Sequence, residues 1–140
     1  MRGQGIKQRA AGVVIVLKEL EGWRYLVLRA YRNWDFPKGR VEPLETPLEA
    51  AIRETEEETA LSDLSFNWGE DYCETVPYTG GKVSRYYLAQ ARSKAVILPI
   101  SPELGRPEHH EYRWVTYEEA RSLLPPRLLP ILKWARDQLD

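Results

Sequence analysis

Residues 39–61 read GRVEPLETPLEAAIRETEEETAL, a short loop running into a stretch with strong helical signals. Thr46, Pro47, Leu48 and Glu49 form a capping box with proline at the first helical position, so a helix should start at Pro47. Leu48, Ala51, Ile52, Thr55 and Thr59 recur at helical spacing and fall within an arc of roughly 100°, which makes them the expected buried stripe. Glu54, Glu57 and Glu58 cluster on another arc, roughly 120° away. For stability alone this is a poor arrangement. Like charges three and four residues apart repel, and anions near a helix C-terminus oppose the macrodipole. Oxygen ligands converging from one face suit Mg²⁺ or Mn²⁺, whereas a solvated acidic face is the ordinary alternative for a glutamate-rich helix.

The whole pattern decides between these. Gly39, Glu45, Arg53, Glu54, Glu57, Glu58 and Leu61 stand at the spacing G-x5-E-x7-R-E-U-x-E-E-x-G-U, where U is bulky and apolar, and the segment therefore resembles the Nudix box. Six fixed positions, each filled at ordinary residue usage, would coincide by chance on the order of once in 10⁷ starts. Thr55 stands where an aliphatic residue is usual and Ala60 where the closing glycine is usual. Alanine there carries a steric penalty if the helix needs a left-handed cap.

Outward from this stretch, the chain of 140 residues fits a single domain spanning 1–140. Its 29% charged and 43% apolar residues are ordinary for a globular protein, and a net charge of −1 gives no ground for generic binding to nucleic acid or anionic membrane. Any phosphate ligand has to be held locally. A lone cysteine, Cys73, excludes an intramolecular disulfide and suits a reducing cytoplasm. Residues 10–17 follow basic residues but lack a cleavage site, and no apolar run reaches the ~20 residues of a membrane helix.

Residues 1–8 are polar and expected to fray. Residues 10–17 and 23–29 read as a strand hairpin, with Tyr25 and Val27 on one side of the second strand, and 31–37 as an aromatic loop. After the helix, residues 64–74 (weakly periodic, with Gly69 as a break point) and 82–91 read as strands around the turn at Thr79, Gly80 and Gly81. Residues 95–98 read as a short strand, 99–107 as a loop and 111–115 as the last strand. Thr116 and Glu119 form a second capping box. A terminal helix near 127–139 buries Leu128, Ile131, Leu132, Ala135 and Leu139. The pattern predicts an α+β domain with a mixed sheet; the resemblance implies a Nudix-like α/β/α sandwich.

Three stretches beyond the box narrow the resemblance: WDFPKGRVEP, YYLA at 86–89 and EHHEYRWV at 108–115. They are similar to the diadenosine tetraphosphate hydrolase branch, which implies asymmetric cleavage of a dinucleoside polyphosphate into a nucleoside triphosphate and a monophosphate. Leu44 stands where that branch commonly has glycine, and Arg40 where histidine is frequent.

The resemblance implies that Glu54, Glu57 and Glu58 hold Mg²⁺ (or Mn²⁺), joined by the carbonyl of Gly39 and by Glu108, or less favourably Glu111, which could serve as ligand or base. It also implies that Arg53 orients the carboxylates; Glu45 either pairs with Arg53 or contributes an outer-shell contact. Lys38 can present an ammonium to phosphate, and Lys82 would add a second cation. Tyr86 matches the branch's nucleotide-site tyrosine, His109 is a candidate phosphate contact, and Trp34 and Tyr31 could offer faces to adenine. A zinc site at His109 and His110 is disfavoured, because neighbours on an extended segment point in opposite directions. Readings with the same chemistry on RNA 5′ ends, ADP-ribose or diphosphoinositol phosphates remain open, as does a nucleotide-binding module. The expected partner is a small nucleotide substrate, with no stable nucleic-acid partner and no membrane.

Overall fold

A computed structural model of the chain describes residues 8–139. Its centre is β1 (Gln8–Glu19), which carries neighbours along both edges. Along one edge it pairs in parallel with β7 (Lys82–Ala91), from Gln8 opposite Lys82 to Val16 opposite Gln90. On the other edge the end of β1 pairs with β2 (Gly22–Ala30) through the tight Leu20–Glu21 turn. The start of that same edge pairs antiparallel with β4 (Lys38–Arg40), placing Gly12 opposite Lys38 and Ala11 opposite Gly39.

β3 (Asn33–Asp35) returns along β2, on whose other side lies β10 (Glu111–Val115). β5 (Leu64–Ser65) and β6 (Tyr72–Glu74) pair with β7, and β8 (Ile100–Ser101) and β9 (Arg106–Pro107) form a separate small hairpin.

The period-2 alternation of the central strands builds two cores. Ala11, Val13, Ile15, Leu26, Leu28, Tyr87 and Ala89 face α1 (Pro47–Thr59) through Ala50 and Ala51. On the opposite face, Val14, Val16, Tyr25, Val27, Tyr86 and Leu88 pack against α2 (Tyr117–Leu123) and α3 (Leu129–Gln138). The mixed sheet between helices on both faces is the expected α/β/α sandwich. Among the described residues no helix is long and apolar enough to cross a membrane.

Both capping boxes are present, at Thr46 and Thr116, and the Thr79–Gly81 turn precedes β7. Leu128, Ile131, Leu132 and Ala135 are buried as expected, while Leu139 is partly exposed. The fraying segment lies outside the described residues, apart from Gln8, which opens β1. Four expectations need correction. Residues 95–98 form no strand: they find no strand partner, and the Ile97 N–H instead donates to the Thr59 carbonyl at the end of α1. Residues 64–74, by contrast, divide into β5 and β6 at the break point expected of them, Gly69 with φ 88. The aromatic loop at 31–37 contains β3, and the loop at 99–107 contains the β8–β9 hairpin. The stripe of α1 is also rotated: Ile52 is 38% exposed, whereas Ala50 and Glu58 are buried.

Two residues occupy left-handed backbone where the resemblance implies glycine. The Glu45 N–H donates to the Glu42 carbonyl across Pro43 and Leu44, and Leu44 has φ 69, the third position of a turn that favours glycine. Ala60 caps α1 at φ 64 and ψ 12. Leu44→Gly and Ala60→Gly are each expected to stabilise the protein by about 0.5–1 kcal/mol after glycine's greater unfolded-state freedom is deducted. That corresponds to about 2–4 °C in Tm by thermal denaturation. At Leu44 the side chain is fully exposed, so no packing is lost.

Candidate active site

Arg53, in the middle of α1, organises the acidic face. Its Nε donates to Glu45 Oε2 at 2.7 Å and its Nη2 to Glu45 Oε1 at 3.0 Å, a two-pronged pair that fixes the guanidinium plane. Nη2 also donates to the Arg40 carbonyl at 2.9 Å, and Nη1 to Glu54 at 2.8 Å and Glu57 at 3.3 Å. The arginine therefore ties the loop before the helix to two helix carboxylates. Glu45 is its principal partner and holds the Arg53 pKa above its ordinary value; Arg53 in turn holds the Glu45 carboxyl below its own.

Glu54 lies directly beneath Gly39, and a Cβ at Gly39 would overlap the Glu54 carboxylate. Glycine is required here to let a carboxylate reach the backbone of β4. Beside it, Glu58 is buried, and its Oε1 accepts a long hydrogen bond from the Lys38 N–H at 3.4 Å. Burial first, then the charges of Glu108 and Glu54, push the Glu58 pKa well above its usual value. Burial likewise raises that of Glu54.

Glu58, Glu108 and His109 bring one donor atom each to within 4.8 Å of one another. His109 Nδ1 is 3.8 Å from Glu58 Oε1, and burial depresses the histidine pKa to about 4, so the ring is neutral at pH 7. Glu57 is more exposed and turns toward Arg53.

These side chains line one cleft of about 940 Å³, with Lys38 and Gly39 at its base. Its far wall is Leu98, Pro99, Ile100, Pro102 and Pro107. Carboxylate oxygens gathered under a glycine, two of them reluctant to ionise, make a donor set that a divalent cation fits.

The Lys38 ammonium is not free. It pairs with Asp35 Oδ2 at 2.9 Å, and Arg127 reaches the same oxygen at 3.7 Å. Burial works against the lysine charge, but Asp35 outweighs it and the pKa stands above the ordinary value. Sequence reasoning missed Asp35; the charge pattern D-x-x-K was its only signal.

Three expected substrate contacts stand away from this cleft. Tyr86 is 0% exposed and packs edge-on against Phe36 at 5.6 Å, on the face of the sheet opposite α1. The nucleotide contact expected of Tyr86 fails because β7 is covered on both sides, with Tyr87 buried on the other face. Lys82 is exposed at the start of β7 and is not among the cleft residues. Trp34 is 7% exposed, with the Arg113 and Arg29 guanidinia 4.7 and 5.6 Å from its ring, so it offers no free face to a base. Glu111 is engaged by those same two arginines, at 2.8 and 2.7 Å, which removes it as a candidate ligand.

Residues 6–135 match the model of the NUDIX domain. The chain belongs to the Nudix family. Of its box residues, Glu45, Glu54 and Glu57 are joined by Arg53, and the three helices about a mixed sheet are the family's fold. The chain is 32% identical over 127 residues to the asymmetrical bis(5′-nucleosyl)-tetraphosphatase of Mus musculus, covering 82% of this chain and 83% of that one. It is 30% identical over 112 residues to an RNA pyrophosphohydrolase of Erythrobacter litoralis, covering 66% and 65% respectively. Among solved structures, a binary complex of the C. elegans Ap4A hydrolase superposes with a TM-score of 0.78 at 30% identity, covering 93% of this chain and 97% of that one. This Nudix protein is thus a pyrophosphohydrolase.

Because the folded pKa of Glu58 is raised, the native state binds more protons than the unfolded chain above about pH 4.5. The contribution of Glu58 is therefore unfavourable there, growing until the folded pKa is passed. Glu58→Gln should thus gain in Tm relative to the metal-free parent as pH rises above 4.5. Adding millimolar Mg²⁺ should stabilise the parent and leave the variant behind. Thermal melts across pH, with and without the ion, check both.

Proposed function

We propose that this Nudix enzyme cleaves a dinucleoside polyphosphate asymmetrically, diadenosine tetraphosphate to ATP and AMP, using Mg²⁺ or Mn²⁺. The observation that carries the reading is the convergence of Glu54, Glu58 and Glu108 on one cleft whose base bears Lys38 and Gly39. The relatives described as asymmetrical tetraphosphatases and Ap4A hydrolase support the substrate, since they match over most of both chains.

Glu54, Glu57, Glu58 and Glu108, with the Gly39 carbonyl, would hold the cation. When bound, it supplies charge neutralisation along the phosphates and a lowered pKa for water. The chain's own residues do the rest. Arg53 holds Glu54 and Glu57 in place, so their orientation is set before substrate arrives. Lys38 lies where its ammonium can leave Asp35 for a phosphate oxygen and stabilise charge on the departing nucleotide. His109, neutral, offers an N–H to phosphate rather than a charge. Water attacks phosphorus in line, its proton passes to a glutamate of this group, and the bridging P–O bond breaks to release one nucleotide.

Hydrolysis of triphosphorylated RNA ends is the second reading, favoured by the relative of that activity.

Incubation with diadenosine tetraphosphate and Mg²⁺ should release ATP and AMP, and chelator should stop it. Glu58→Gln should fold normally and lose about 10²–10³-fold or more in kcat. Release of two ADP, or turnover unaffected by chelator, would overturn the proposal. Replacing Asp35 with alanine should raise KM several-fold, because the lysine is then no longer held at the base of the cleft.

A further inference from the structure

Tyr31 follows β2 with its side chain 70% exposed and its backbone at φ 58, a conformation that residues other than glycine rarely adopt. It is nevertheless held at two points. Its N–H donates to His110 Nε2 at 3.0 Å, and its hydroxyl accepts from Arg106 Nη2 at 3.1 Å. Arg106 and His110 bracket Pro107, Glu108 and His109, all three of which line the cleft. The ring is therefore fixed beside the cleft's mouth, with its position set by the segment that carries two of the cleft's polar residues.

Arg106 differs from Lys38 in one respect. Its guanidinium bonds the Tyr31 hydroxyl and, at 3.4 Å, the Pro107 carbonyl, and among the described residues it has no carboxylate partner. An uncompensated cation next to a group of glutamates is placed for an anion that arrives with its own counter-charge. Trp34 is buried, whereas the Tyr31 ring is open to solvent.

We infer that Tyr31 and Arg106 form a subsite for one nucleotide unit at the edge of the cleft: its base stacks on the Tyr31 ring and its phosphate pairs with Arg106. This rests on the nucleotide-hydrolase reading above and says where a nucleoside carried beyond the cleft-held phosphates is received. Stacking on an exposed ring tolerates any base, so the subsite sets affinity for a nucleoside without choosing among bases. The two tethers order the ring before the ligand arrives, which reduces the entropy lost on binding.

Steady-state kinetics on diadenosine tetraphosphate and NMR titrations with AMP and with ribose 5-phosphate test this. Tyr31→Leu should raise KM about tenfold with kcat within about twofold, while Tyr31→Phe, which keeps the stacking face, stays within about threefold of the parent. AMP should shift the Tyr31 and His110 amide signals of the parent at lower concentration than ribose 5-phosphate, and Tyr31→Leu should remove that advantage. Arg106→Gln should weaken both ligands alike. An unchanged KM in Tyr31→Leu, or equal effects of AMP and ribose 5-phosphate on the parent, overturns the subsite while leaving the hydrolase reading standing. If the parent releases no nucleotide at all, the hydrolase reading falls, and the AMP titration still decides the subsite.

Discussion

Arg53 is the cation on which the acidic face depends: one guanidinium joins Glu45, Glu54, Glu57 and the Arg40 carbonyl, and so couples the loop after β4 to the last turns of α1. Carboxylates this close repel one another, and a single planar donor with fixed geometry sets their spacing better than a flexible ammonium would. What Arg53 leaves unbalanced is Glu58, buried on the sheet side and carrying the charge of Glu108 against it. The site is thus half neutralised by the protein and half left for something that arrives.

The sandwich supplies the platform. β1 holds β4 along one edge and β7 along the other, so Lys38 and Gly39 are set by register against the strand at the centre of the fold. The capping box at Thr46 fixes where α1 begins, and Gly39 allows Glu54 to lie against β4. The other wall comes from a segment with almost no regular structure, whose shape depends on the small hairpin of β8 and β9 and on the contact of Ile97 with the end of α1.

What was legible in the sequence follows the range of the forces involved. The helix start, both capping boxes and the extent of β7 are local matters of hydrogen bonding and alternation, and they stand as read. Residues 95–98 look like a strand because they are apolar, yet a strand needs a partner edge, and pairing is not written in a single segment. Ile52 was placed by angle alone, whereas the helix is rotated to bring Ala50 and Ala51 against the sheet. Glu58 comes with them, because small side chains allow the closest approach. Tyr86 was assigned by resemblance, and its burial follows from cover on both faces of β7. Asp35 was missed because its meaning lies in two partners, one three residues away and the other 92 residues along the chain.

Gly12 sits opposite Lys38 on β1, and any side chain there would run into the Pro37 carbonyl and the Lys38 backbone. The innermost strand and Lys38 therefore share one steric margin of less than a methyl group. A side chain at a position that touches no ligand would have to displace the backbone of the strand that carries the lysine, so here the boundary between scaffold and chemistry passes through the middle of the sheet.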